Sequence, residues 1–139
     1  ARRAAYVIGT TSSSAGADMV RSMEANQVID SGSIFERGID PVDLVFDTVG
    51  GDVLARSSQL LRQGGRLVTI ADEPPEGVEA TYFVVEPDGE QLAKVGDLVD
   101  EGALHPAIDS VFPLEEFRAA FERSMAPGKR GKVVLRVIG

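Results

Sequence analysis

The hydrophobic positions fall into short blocks that alternate between a strand-like and a helix-like spacing. The clearest run is "VDLVFDTVGGDVLARSSQLLRQGGRLVTIA", residues 42–71. Val42, Leu44, Val45 and Phe46 are nearly continuous, as in a strand covered on both faces. Gly50-Gly51 turns the chain, and Val53, Leu54, Leu60 and Leu61 fall along one side of a helix. Gly64-Gly65 reads as the stop of that helix, and "RLVTIA" as a second strand. Together these elements make one βαβ unit.

The same alternation runs through the rest of the chain. "AAYVIGT" reads as a strand that ends on a small polar loop, "TSSSAGAD", rich in helix N-caps. Met19, Val20 and Met23 have helical spacing, and "QVID" is a brief strand. "SGSIFERGIDP" is a linker with one amphipathic turn. "DEPPEGVEA" is a loop and "TYFVVE" a strand. A helix follows, with Leu92, Val95, Leu98 and Val99 on one face. "HPAIDSVFP" is extended, and a last helix carries Leu114, Phe117, Ala120 and Phe121 before the strand "KVVLRVI". The expected fold is α/β, a Rossmann-like doubly wound and mostly parallel sheet. A domain boundary is expected near Leu104, with residues 1–103 in one part and the strand–helix–strand of 104–139 placed in a second sheet.

Composition narrows the function. The chain has 139 residues, a formal net charge of −8 and no cysteine. The acidic balance argues against a general nucleic-acid partner, because such proteins rely on basic surfaces meeting phosphate. No apolar run is long enough to cross a membrane, and "ARRAAYVIG" does not read as a signal peptide. The absence of cysteine excludes disulfides and thiolate zinc sites and fits a cytoplasmic location.

Ligands of open parallel sheets bind beyond the carboxyl ends of the strands. Those ends are residues 9–12, 47–50, 70–72 and 84–86. A carboxylate at the first of them would favour a ribose 2′-hydroxyl and repel a 2′-phosphate. This chain has Thr10, Thr11, Ser12, Ser13 and Ser14 there, and no acid before Asp18. That pattern tolerates NADP. The plain alternative is a loop selected for capping and solubility. His105 is the only histidine and has no carboxylate constellation, so no catalytic residue is identified, and no spacing indicates a metal site.

The series around "VDLVFDTVGG…LLRQGGRLVTIA" resembles the medium-chain dehydrogenase/reductase superfamily, and more closely its zinc-independent quinone-oxidoreductase-like branch. "VRSMEANQVID", "YFVVEPDGEQL" and "HPAIDSVFPLEEFRAAFE…GKRGKVVLRV" extend the likeness along nearly the whole chain. The resemblance implies a domain binding NADP, or NAD, and hydride reduction of a small-molecule quinone, enone or related carbonyl. It places Thr10 and Ser12 near the adenosine ribose or its 2′-phosphate. It places Asp47, Thr48, Val49 and Gly50 along the adenine and ribose side, and Ile70 and Ala71 by the nicotinamide ribose. Phe83, Val84 and Val85 would border the nicotinamide, and Lys132 would contact the cofactor. It leaves a homodimer open.

Three departures stand out. Glu24 replaces the family's usual glycine, Gly16 stands roughly where a lysine is expected, and the glycine-rich loop with its central strand and the N-terminal catalytic domain is absent. The expectation is therefore a fragment of a longer enzyme, inactive alone, or a chain that repairs its sheet. Two rival readings are a class I methyltransferase-like domain, which would finish in an antiparallel hairpin, and a non-catalytic remnant serving as an interaction module.

Overall fold

The computed structural model describes residues 6–137. They form two compact units, the first ending at Glu86 and the second starting at Pro87. This division lies earlier in the chain than the boundary expected at 103/104. Of the residues singled out in the sequence, Arg2, Arg3, Ala4, Ala5 and Ile138 lie outside the described ones.

The first unit contains β1 (Ile8–Thr11), α1 (Ser14–Ser22), β2 (Gln27–Asp30), a 3-10 turn (Phe35–Arg37), β3 (Val42–Asp47), α2 (Gly51–Ser58), β4 (Leu61–Thr69) and β5 (Ala80–Tyr82). β1 pairs with β2, and β3, β4 and β5 form a second sheet in that order, all parallel. Among the described residues no strand joins β1 to β3, and the two sheets are separate.

Burial shows how far the core extends. Val45 and Asp47 of β3 share a face with Leu67 and Thr69 of β4, by register. α2 packs on both strands, and its Leu54, like Leu67, is only 1% exposed. The opposite face is bare: Leu44 is 55% and Phe46 58% exposed. The near-continuous apolar pattern of β3 predicted cover on both faces, and within these residues only one is covered.

Two element boundaries differ from the sequence reading. Gly64-Gly65 does not stop α2. The helix ends at Ser58, and both glycines lie inside β4, where the register slips between Val42↔Leu61 and Leu44↔Arg66. The cause is tertiary: the Val42 N–H already donates to the Leu60 carbonyl at 2.8 Å, so Leu60 and Leu61 belong to the sheet and not to the helix. β5 likewise ends at Tyr82, because its partner β4 ends at Thr69 and leaves residues 83–85 no strand to pair with.

A guanidinium pins the linker after β2. Arg56 of α2 makes a bidentate pair with Glu36, both contacts at 2.8 Å, and donates to the Ser31 carbonyl at 3.1 Å and to the Ser33 carbonyl. It also lies 4.3 Å over the ring of buried Phe35. Its hydrogen bonds draw the Glu36 carboxyl down from 4.5 to about 2.

The second unit contains α3 (Gly89–Asp100), β6 (Ile108–Pro113), a 3-10 turn (Leu114–Glu116), α4 (Phe117–Met125) and β7 (Lys132–Arg136). β6 and β7 pair in parallel as a sheet of their own, as expected for the tail. α4 packs on that sheet through buried Ala120. Asp109 holds α4 and the following turn together, accepting from Arg123 at 2.7 and 2.6 Å and from the Arg130 N–H at 2.9 Å. These donors hold its carboxyl well below the usual range.

Candidate functional site

Parallel pairing puts the carboxyl tips of β3, β4 and β5 along one edge of their sheet, and those of β1 and β2 along one edge of theirs. The tips of β3 and β4 are directly bonded. Asp47 is 5% exposed and ends β3; its Oδ2 accepts from the Gly50 N–H at 2.9 Å and from Thr69 Oγ1 at 3.1 Å. Thr69, fully buried, ends β4, and its hydroxyl also faces the Asp72 carbonyl at 3.0 Å. The amides of Ala71 and Asp72 point at the same hydroxyl oxygen from 3.4 and 3.5 Å. One hydroxyl therefore organises the whole turn after β4. A carboxylate this deeply placed is tolerable because its Oδ2 has two donors, and no buried side-chain polar atom among the described residues lacks a partner.

Around this polar knot the rim is apolar and open. Val49 is 63% and Ile70 46% exposed, and Thr48 and Ala71 are exposed beside them. Gly50 is buried, with φ +78° and ψ −169°, a region nearly closed to other residues. The combination of fixed acceptors and apolar flanks suits a flat ring attached to a sugar hydroxyl.

The β1 corner is built differently. Ser13 caps α1, its Oγ accepting from the Gly16 N–H at 3.0 Å. Thr10, Ser12 and Ser14 remain exposed. A Cβ on Gly16 would fall 2.1 Å from Thr11 Oγ1, so this corner has no room for the lysine expected there. The Ser-rich loop is thus a cap at Ser13 and an open row of hydroxyls elsewhere.

The other sequence-predicted residues fall on other segments of the chain. Phe83, Val84 and Val85 follow β5 as exposed chain, outside the strand they were expected to form. Lys132 is exposed at the start of β7 in the second unit, and His105 is exposed before β6. Thr69 was not predicted as a site residue, and Asp72 was marked only as the last residue of the strand tip 70–72. No three His, Cys, Asp or Glu side chains among the described residues converge as a metal set.

The fold and this edge define a Rossmann-like cofactor portion of the medium-chain dehydrogenase/reductase kind. A family model described as "Zinc-binding dehydrogenase" matches residues 16–135, and the chain belongs to that family. It is 35% identical to the "Probable zinc-binding oxidoreductase, mitochondrial" of Arthroderma benhamiae, over 95% of this chain and 44% of that protein. It is 29% identical to the "NADPH-dependent alkenal/one oxidoreductase, chloroplastic" of Arabidopsis thaliana, over 92% of this chain and 33% of that one. The quinone oxidoreductase of Coxiella burnetii superposes with a TM-score of 0.81 at 30% identity, covering 96% of this chain and 45% of its own. The chain thus spans less than half the length of these relatives. The methyltransferase reading fails at the tail, where β6 and β7 run parallel and form no antiparallel hairpin.

Proposed function

We propose that this chain is the cofactor-holding part of an oxidoreductase that uses NADPH to reduce quinones, enones or related carbonyls. The observation that carries this is the knot of Asp47, Thr69 and Gly50 at adjoining strand tips, rimmed by exposed Val49 and Ile70. When bound, the nicotinamide supplies the hydride, and the protein supplies position and polarity. Asp47, Thr48, Val49 and Gly50 line the ribose and adenine side, and Ile70 and Ala71 flank the nicotinamide ribose. Phe83, Val84 and Val85 border the nicotinamide, and Lys132 adds a cationic contact. NADPH is preferred because the β1 corner presents Thr10 and Ser12 hydroxyls and no carboxylate; hydroxyls donate to phosphate oxygens. Residues 1–103 form the cofactor portion, and 104–139 complete a catalytic domain that brings the substrate-side residues. The proposed mechanism needs no zinc from this chain, and self-association along the exposed edge beyond β5 belongs to the same reading.

Titration calorimetry with NADPH, NADH and S-adenosylmethionine tests the proposal. Heat from NADPH, weaker heat from NADH and none from S-adenosylmethionine is the expected result. Silence from both nicotinamide cofactors would favour the non-catalytic remnant. Gel filtration giving a monomer at high concentration would remove the self-association.

A further inference from the structure

α2 has no capping side chain of its own, since Gly50 occupies the N-cap. Its first amides are taken from elsewhere. Asp47 Oδ2 accepts from Gly50, and Asp72 Oδ2, from the loop after β4, accepts from the Gly51 N–H at 3.3 Å across 21 residues of sequence. The other Asp72 oxygen accepts from the Glu73 N–H at 2.9 Å. The fit is close: a Cβ on Gly50 would lie 2.9 Å from the Asp72 Cβ. Thr69 holds the Asp72 backbone in place on the other side.

We infer that Asp72 is a positioning residue that latches the β4 tip to the amino end of α2, and that it reserves this edge for a neutral hydroxyl-bearing group and keeps phosphate away from it. The inference rests on the dinucleotide reading above. A helix amino end ordinarily attracts anions; here two carboxylates already stand at it and take the Gly50 and Gly51 amides, so a further anion meets repulsion. A sugar hydroxyl can still donate to these carboxylates. The diphosphate of the cofactor must then lie away from the α2 end.

The test uses the isotopically labelled chain with NADPH and inorganic phosphate as probes. Asp72→Ala is expected to speed exchange of the Gly51 amide about tenfold and weaken NADPH about tenfold. It should also let inorganic phosphate shift the Gly51 resonance, which phosphate leaves in place in the unsubstituted chain. Asp72→Asn retains an acceptor and should keep both Gly51 exchange and NADPH affinity within about threefold. Unchanged Gly51 exchange in the alanine variant overturns the latch. So does a tenfold loss in a folded asparagine variant, which decides the matter even if the alanine variant fails to fold. If the unsubstituted chain binds no nicotinamide cofactor, the dinucleotide reading falls, and Gly51 exchange alone then upholds or overturns the latch.

Discussion

The β1–α1 and β3–α2 corners solve one problem in opposite ways. Each turns a parallel strand into a helix and must satisfy the first helical amides. The first does so locally, with Ser13 three residues from its partner Gly16, and leaves Thr10, Ser12 and Ser14 open. The second has no side chain at its N-cap: Asp47, three residues back, takes the Gly50 amide, and Asp72, borrowed from the next loop, takes that of Gly51. One corner is therefore rich in donors and free of acid, and the other is filled with acceptors. On the proposed reading the first suits a phosphate and the second a sugar.

The largest effect should come from Gly50. Its backbone angles exclude a side chain, and a Cβ would press on Asp72. Gly50→Ala should cost roughly 3 kcal/mol or more, combining a Gly-only conformation with the collision. Gly51 is the control: its φ is +54° and a Cβ there meets nothing within 4 Å, so Gly51→Ala should cost only about 1 kcal/mol. Urea unfolding of the two variants checks the ratio. Equal costs would mean that the Asp72 approach does not matter.

Thr69→Val comes next. The shapes match, but the one hydroxyl proton shared between Asp47 Oδ2 and the Asp72 carbonyl is lost, while Asp47 Oδ2 keeps the Gly50 N–H. Losing a hydrogen bond to a charged, buried group costs about 1–3 kcal/mol. Thr69→Ser keeps the hydroxyl and should recover most of that loss. If valine and serine behave alike in urea, the knot contributes only packing.

At the first corner the effects are smaller. Ser13→Ala removes the N-cap and should cost about 1 kcal/mol in thermal or urea unfolding. The other end of α1 carries the reverse case. Glu24 has φ +64°, the single non-glycine with positive φ among the described residues. Its N–H bonds the Arg21 carbonyl at 3.0 Å and the Ala25 N–H bonds that of Val20 at 3.4 Å, a Schellman ending that favours glycine. Glu24→Gly relieves about 1–2 kcal/mol of strain against about 0.5–1 for glycine's freedom when unfolded, a net gain of about 0.5–1. No gain in the urea midpoint would show that the unfolded chain absorbs the difference.

These residues also show what the sequence could reveal. An N-cap in the Ser-rich loop before α1 was legible because its partner lies within a few residues, whereas Glu24 stood out only against the glycine that the family resemblance implied. The alternation that set the parallel α/β class was legible for the same reason: periodicity reports which face is buried. Asp72 was not legible as a cap, because its partner Gly51 is brought near only by the pairing of β3 with β4. The end of α2 was misread because a Gly-Gly pair serves a helix stop and a sheet irregularity equally well, and the Val42–Leu60 bond decided between them. Leu44 and Phe46 were read as covered because strand composition records what a whole fold covers, and the described residues bury only one face of β3.

Acid should separate the two corners most gently. Arg56 on α2 holds Glu36, whose carboxyl lies at about 2 in the folded chain against 4.5 ordinarily, chiefly through the guanidinium hydrogen bonds. A depressed carboxyl contributes stability that is complete above its unfolded value and is lost as pH falls toward the folded one. The Glu36 contribution should therefore be full above pH about 4.5 and fade on descent toward about 2. Glu36→Gln isolates it from every other titrating group: the stability gap between this variant and the unsubstituted chain should be widest near neutrality and close across that window. Salt should narrow the gap as well, since the pair is partly open to solvent. The cap at Ser13 has no titrating group, so the cost of Ser13→Ala should stay level through the same descent. A Glu36→Gln gap that does not change with pH would assign the staple to packing of Arg56 on Phe35, and leave α2 held by its borrowed carboxylates alone.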